Sequence, residues 1–297
     1  MLSICIPIFN YNVCDLVNAL SDQINQLSAP AEIVLIDDCS SEVFRKENEK
    51  CCNTHNYIKL KKNIGRSAIR NLFLKYTRYN YLLFLDCDSL IISDNFLKNY
   101  IIEIESSKPE IICGGRVYDS KKPDRSRLLR WKYGIKKESK PALIRSKKPN
   151  ASFMTNNFVI NRELFETLQF DERLLEYGHE DTLFGFELKK RGIEILHIEN
   201  AILNGDLENN MEYLDKTEKA VCNLKYVLEF TNSNPGLIED ITLLRIFFSL
   251  KNYKPLISIL FTLMKPVIYY SLSHGYVSIP LFDFYKLGLL NRTLSSD

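Results

Sequence analysis

The sequence predicts an α/β protein: a mixed, mainly parallel sheet flanked by helices, followed by an apolar helical extension. Three observations carry this. Short apolar runs such as Tyr81-Leu82-Leu83-Phe84-Leu85 are bounded by polar residues and too short to cross a membrane, which is the pattern of strands buried on both faces. Segments with apolar residues three and four apart lie between them, so strand, helix and strand alternate. Beyond residue 208 the strand-like runs stop and helical spacing takes over.

The chain has 297 residues and 45% hydrophobic content, enough for one large core plus an appendage. A formal charge of +2 is too small to mark a nucleic-acid binder, and no reader motif accompanies the basic residues. The eight cysteines contain no C-x-x-C pair and several fall in expected strands, so reduced thiols are expected rather than a zinc site or a disulfide framework. Leu2 enters a strand at once, with no basic leader before it, and the expected setting is cytoplasmic.

The first strand is Leu2 to Ile8, and the turn Phe9-Asn10-Tyr11-Asn12 follows it. Val13, Leu16, Val17, Leu20, Ile24 and Leu27 then mark one face of a helix, which Pro30 stops. Glu32 to Ile36 is a second buried strand, ending in Asp37-Asp38. A charged helix over 42–52 and a short strand, Tyr57 to Leu60, lead to Asn63-Ile64-Gly65-Arg66, where Gly65 permits a tight turn and Arg66 and Arg70 share a helical face. Those guanidinium groups either grip a diphosphate or form a solvated face. The strand Tyr81 to Leu85 follows and ends in Asp86-Cys87-Asp88. In an extended chain residues i and i+2 point the same way, so Asp86 and Asp88 are expected to enter one cleft at the edge where open α/β sheets bind ligands. Two such carboxylates suit a hard divalent cation, although an isolated Asp-X-Asp is also compatible with two solvated loop residues.

A helix with Phe96, Leu97, Tyr100, Ile101 and Ile104 on its apolar side precedes the strand Glu110 to Cys113, which ends in Gly114-Gly115. That pair is either a turn or a place where a ligand approaches the backbone closely. Residues 119–150 carry twelve lysines and arginines against Asp119, Asp124 and Glu138, with Trp131 and Tyr133 among them. Asn156-Asn157-Phe158-Val159-Ile160 reads as a strand and Arg162 to Leu168 as a short helix. Tyr177-Gly178-His179-Glu180-Asp181 leads into a helix that Gly192 stops, placing Glu180 and Asp181 at its N-terminus, where capping alone would also favour them. The strand Ile193 to Ile198 contains His197.

Taken together, Ser3 to Asn10, Val34 to Ser40, Asn63-Ile64-Gly65 with Arg70-Asn71, Leu85 to Asp88 and Tyr177 to Gly185 resemble the successive motifs of family 2 glycosyltransferases, the inverting group with the GT-A fold. The resemblance spans the first two-thirds of the chain. It implies a GT-A catalytic domain over 1–208, a basic acceptor loop at about 119–150, and a helical extension over 209–297. It also implies transfer of a sugar from a nucleotide sugar, a UDP-sugar, to a saccharide or lipid-pyrophosphate acceptor, with Mg²⁺ or Mn²⁺.

By the same resemblance, Asp181 is the general base and Glu180 supports it. Pro7, Phe9, Asn10, Asp37, Asp38, Asn63, Gly65, Arg66, Arg70, Asp86, Gly114 and Gly115 line the donor site, and Trp131, Asn156, Asn157 and His179 the acceptor side. Asp88 binds the metal, with Asp86 on the metal or the ribose. Related enzymes place a histidine ligand where Asn204 stands here, so the third ligand is left between Asn204 and His197, and His197 is equally a sheet histidine. This departure keeps a non-catalytic, nucleotide-binding subunit open as the alternative. A nucleotidyltransferase would need glycine and lysine after the first strand, and residues 7–12 have neither. The apolar stretch from Pro255 to Tyr270 is interrupted by Lys265 and Pro266. It either packs on the rest of the protein or makes peripheral membrane contact.

Overall fold

The computed structural model describes residues 1–174 and 177–295; Ser296 and Asp297, at the end of the expected extension, lie outside it. In chain order the elements are β1 (Leu2–Ile8), α1 (Cys14–Ile24), β2 (Ala31–Asp37), α2 (Glu42–Cys52), β3 (Asn56–Lys59), α3 (Arg66–Tyr76), β4 (Tyr81–Leu85), β5 (Ser89–Leu90), α4 (Phe96–Ser107), β6 (Ile111–Cys113) and β7 (Arg116–Val117). Then come α5 (Leu128–Tyr133), α6 (Ala142–Arg145), β8 (Asn157–Asn161), α7 (Arg162–Thr167), α8 (Glu180–Lys190), β9 (Leu196–His197) and β10 (Ile202–Asn204). The chain ends in α9 (Asn210–Phe230), α10 (Pro235–Asp240), α11 (Thr242–Ser249), α12 (Lys254–Ser273) and α13 (Ile279–Thr293).

These elements form two compact units. The first comprises Met1–Tyr118, Ser139–Leu175 and Glu180–Asp206; the second comprises Asp119–Glu138, Glu176–His179 and Leu207–Asp297. The basic stretch is therefore divided: its first part, including α5, packs with the C-terminal helices, while α6 belongs to the sheet unit. Within the expected basic acceptor loop, the chain forms the short helices α5 and α6.

The first unit is built on a seven-stranded sheet in the order β3-β2-β1-β4-β8-β6-β9. The strands β1 to β4 are parallel, with continuous buried apolar runs in β1, β2 and β4, but β8 is inserted antiparallel between β4 and β6. Leu82, Leu83, Phe84 and Leu85 are all 0% exposed, and burial of each contributes roughly 2 kcal/mol. Phe84 stacks on Phe158 of β8 at 4.9 Å, tying the antiparallel strand to the centre. Pro7 is tolerated inside β1 because pairing with β4 ends at Cys5, so the missing N–H falls past that ladder. A second sheet, β5-β10-β7, is made of two- and three-residue strands too short for any periodic signal.

One expectation about the cysteines fails. Cys14 of α1 and Cys51 of α2 are joined as a disulfide with Cα atoms 5.4 Å apart, while six cysteines remain thiols. The pairing follows from the packing of two helices 37 residues apart, which cysteine spacing does not reveal.

The second unit is helical. Tyr213, Leu214, Val221, Leu224 and Leu228 of α9 pack with Phe261 and Leu272 of α12 and with Phe282, Tyr285 and Leu290 of α13. Asn209 caps α9 with a reciprocal Glu212 contact, satisfying otherwise orphaned N–H groups. Glu208 is held by Arg130 and Lys216, whose charges keep its carboxyl below the usual range despite burial.

Candidate active site

The carboxyl edge of the sheet in the first unit gathers most of the expected residues. At the tip of β4 the chain does not stay extended: Ser89 N–H donates to Asp86 carbonyl at 3.0 Å, closing a turn. Asp86 and Asp88 thus stand in a turn rather than in the extended chain that the alternation of side chains assumes. Asp86 accepts from Arg70 Nη2 at 2.9 Å and lies 3.6 Å from Arg116 Nη2. Burial alone would raise its pKa, but the charges of Arg70, Arg116 and Arg66 outweigh burial and hold it below the usual carboxylate range.

Asp88 lies on the side of Tyr11 and Asp206. Its carbonyl accepts from Gly205 N–H at 2.8 Å, and a Cβ on Gly205 would sit 2.7 Å from that same oxygen. The Tyr11 hydroxyl is pushed up to about 12, first by burial and then by the charges of Asp88 and Asp206. Asp206 is the residue that motif spacing missed. Two residues before it, Asn204 pairs with Ser89 in the β10–β5 ladder and donates its side-chain amide to the Asp206 carbonyl.

Two loops that carry residues expected on the donor side are knitted to neighbouring loops. Asn10, at φ 50°, receives Ser41 N–H on its side chain at 2.8 Å and donates its own N–H to Ser40 Oγ at 2.9 Å; Phe9 beside it is 52% exposed. Asp38 accepts from the N–H groups of Ile64 and Gly65 at 2.7 and 3.1 Å, and its carbonyl accepts from Asn63. Burial raises the Asp38 carboxyl, and those two amides oppose the rise. Gly65, at φ 85°, supplies the left-handed turn that starts α3 and so positions Arg66 and Arg70.

The base candidates stand in the first turn of α8. Arg66 Nη1 lies 3.6 Å from Glu180 Oε1. Asp181 accepts from Thr182 N–H at 2.7 Å, and burial together with the adjacent Glu180 charge pushes its carboxyl up to about 7. Arg66 and Arg70 are one helical turn apart, with Arg70 Nη1 donating to the Arg66 carbonyl, so α3 links the Glu180–Asp181 turn to Asp86. Asn156, whose carbonyl accepts from Asp86 N–H, is 3% exposed and its side-chain Nδ2 has no hydrogen-bond partner. Its amide nitrogen is thus a buried donor left unsatisfied within the fold.

Other expected site residues are engaged in structure instead. Asp37 is 0% exposed and accepts from Ser40 N–H, Arg45 Nε and Tyr57 Oη. Asn157 accepts from Tyr100 Oη at 2.6 Å and donates to the carbonyls of Gly115 and Asn200, so its amide is saturated. Gly114 is required because a Cβ would meet Tyr100 Oη at 2.2 Å, and Gly115, at φ 90°, lies under Arg145. His197 falls on the edge strand, three strand spacings from β4 or roughly 14 Å, and one ring nitrogen faces Arg145 Nη1 and the other the Pro149 carbonyl. Burial and the Arg145 charge lower its pKa to about 4, so it is a neutral sheet histidine outside the acid edge. Trp131 and His179 belong to the second unit. There Trp131 Nε1 donates to the Asp119 carbonyl, and His179, at φ 71°, follows a turn whose carbonyls accept from Asn223.

The glycosyl transferase family 2 model matches residues 3–169, more than half of the chain. The chain belongs to that family. It is 27% identical over 238 residues to the Escherichia coli chondroitin synthase, covering 68% of this chain but only 34% of the relative, so it spans about a third of that protein's length. Among solved structures it is similar to a mannosyltransferase from Pyrobaculum calidifontis in complex with GDP-Man and Mn²⁺, with a TM-score of 0.61 at 13% identity over 99% of this chain and 85% of the other. It is also similar to S. aureus TarS 1-349 in complex with UDP, with a TM-score of 0.51 at 18% identity over 98% and 89% of the two chains. These likenesses establish the GT-A fold.

A divalent cation is tested by the donor set. Among the described residues no group of three or more His, Cys, Asp and Glu side chains converges on one point. Asp88 and Asp206 both act on Tyr11 through their charge, and they are of the donor type that suits Mg²⁺, which takes one or two carboxylates and completes its shell with substrate phosphate and water.

Proposed function

We propose that this chain is an inverting glycosyltransferase that moves a sugar from a nucleotide sugar, a UDP-sugar, to a hydroxyl of a saccharide or lipid-pyrophosphate acceptor. The observation that carries the reading is the linkage on one sheet edge of a carboxyl near pH 7, at Asp181, with two arginines and the acids after β4.

The donor nucleotide lies against Pro7, Phe9, Asn10 and the Asp38–Gly65 loop. Arg66 and Arg70 face its diphosphate, with Asp86 fixing the Arg70 guanidinium and turning it toward the edge. Asp88 and Asp206 would hold Mg²⁺ or Mn²⁺, which when bound supplies Lewis-acid screening of the charge growing on the departing diphosphate. Asp181, deprotonated, takes the proton from the acceptor hydroxyl as its oxygen attacks the anomeric carbon from the face opposite the diphosphate. Glu180 raises the basicity of Asp181 through like-charge repulsion and is itself steadied by Arg66. Asn156 offers its unpaired amide to the sugar or acceptor.

The test is release of nucleoside diphosphate from a panel of nucleotide sugars in the presence of Mn²⁺. Release confined to UDP-sugars supports the reading. Release from none, with nucleotide still bound, leaves a nucleotide-binding subunit in its place.

A further inference from the structure

The second unit carries a surface that the transfer reaction does not use. Helix α12 buries Ile257, Phe261, Ile268 and Leu272 against its own unit. On its other side Leu256, Ile259, Leu263, Val267 and Tyr270 are 52%, 60%, 71%, 69% and 60% exposed, and their spacing of three and four residues sets them in one row along the helix. Within the helical span Lys251–Ser273, only 22% of an apolar stretch of 18 residues is buried. The polar atoms within the row are satisfied locally, since Thr262 Oγ1 donates to the Ser258 carbonyl at 2.8 Å.

Charge and aromatic residues at the two ends indicate the kind of partner. Between Asp240 and Asp283 there is no carboxylate, but there are Arg245, Lys251, Lys254 and Lys265. Lys251 and Tyr253 are exposed at the N-terminal end of the row. At the C-terminal end Tyr276 is 59% exposed and stacks under the Arg125 guanidinium at 4.4 Å, with exposed Lys121 and Lys122 on the same basic segment. An apolar row flanked by cations and tyrosines matches an anionic bilayer surface, where the side chains reach the acyl boundary and the tyrosines and lysines lie among headgroups. A second copy of the chain would bring the exposed Lys251, Lys121 and Lys122 of both molecules to the contact, which opposes self-association through this face.

We propose that α12 is a monotopic docking helix that holds the protein on anionic lipid surfaces. Lys265 lies mid-helix and pairs with Glu218 at 3.6 Å, and Pro266 adjoins it, so the helix lies along the surface rather than across it.

Co-sedimentation of the full chain with vesicles of phosphatidylcholine, alone or mixed with phosphatidylglycerol, tests this. Binding is expected to the mixed vesicles and to weaken with added salt. The exposed double variant Leu263→Glu, Val267→Glu should lower binding about tenfold or more while leaving circular dichroism and donor hydrolysis unchanged. Lys251→Glu with Lys254→Glu should remove the preference for the anionic lipid. Protein that stays in the supernatant with both vesicles overturns the proposal, as does unchanged binding by the Leu263→Glu, Val267→Glu variant. A concentration-dependent dimer in light scattering that this variant abolishes would also overturn it, assigning the face to a second copy.

Discussion

Arg70 and Asp86 form a partly buried ion pair at the tip of the central strand, with Nη2 and Oδ1 2.9 Å apart and the side chains 2% and 23% exposed. The pair joins α3 to the end of β4, and Arg116 reinforces it from the opposite side. Removing one member leaves the other charged and poorly solvated. Arg70→Ala is expected to cost about 3 kcal/mol in chemical unfolding, with a smaller loss in the Arg70→Ala, Asp86→Asn double variant than the two single losses added together. Additive losses would show that the pair does not act as a unit.

Asp181 gives a pH dependence whose sign follows from its environment. Burial and Glu180 push its carboxyl up to about 7, so the basic form is populated only above that pH. The acid limb of kcat/KM should therefore fall below about pH 7. Asp181→Asn should reduce transfer by about a thousandfold while sparing donor binding. A carboxyl raised by folding contributes stability that is present below its ordinary value near 4 and is lost as pH rises through 7. Asp181→Asn should accordingly gain stability over the native protein between about pH 4 and 7, in thermal unfolding across that range. Near-normal turnover of Asp181→Asn would remove it as the base.

Gly114 and Asn157 separate packing from ligand contact. Gly114→Ala forces a Cβ against Tyr100 Oη and the Asn200 carbonyl and should destabilise by about 2 kcal/mol or more. Asn157→Ala strands Tyr100 Oη and two carbonyls, at a cost of about 3 kcal/mol. In the folded fraction, the KM for donor should stay near the native value. In a stably folded variant, a donor KM raised more than about tenfold would return Gly114 to the donor site, and a like rise in acceptor KM would return Asn157 to the acceptor side.

His197 and Asp206 make opposite predictions for cation binding. Asp206→Ala should weaken Mn²⁺ binding, measured by electron paramagnetic resonance with UDP present, by roughly tenfold or more. His197→Ala should leave that affinity unchanged and lower the melting temperature, because it removes the partner of the buried Arg145 guanidinium. The reverse pattern would restore His197 as a ligand.

Much of the fold was readable because burial on both faces writes itself as an uninterrupted apolar run. The β4 run from Tyr81 to Leu85 and the α2 span from Glu42 to Cys52 fall where the pattern places them. Direction is not written in such a run, so β8 gave no sign that it lies antiparallel. Side-chain roles at the edge depended on contacts far away in sequence. Asp37 and Asp38 are adjacent, yet one is consumed by Arg45 and Tyr57 and the other by the Ile64–Gly65 amides. Arg116 and Asp206 were missed because each stands at the end of a very short strand, with no motif of its own. Arg116 follows the glycine pair directly, a position that in hindsight offered the one local signal.

The central claim is that Asp88 helps hold a cation against the diphosphate of the donor. Calorimetric titration of UDP into the native protein and into Asp88→Ala, with and without Mn²⁺, tests it most directly. The account predicts UDP binding to the native protein that strengthens sharply with Mn²⁺ and an Asp88→Ala variant that no longer responds to the metal. Equal UDP affinity in all four titrations would contradict it.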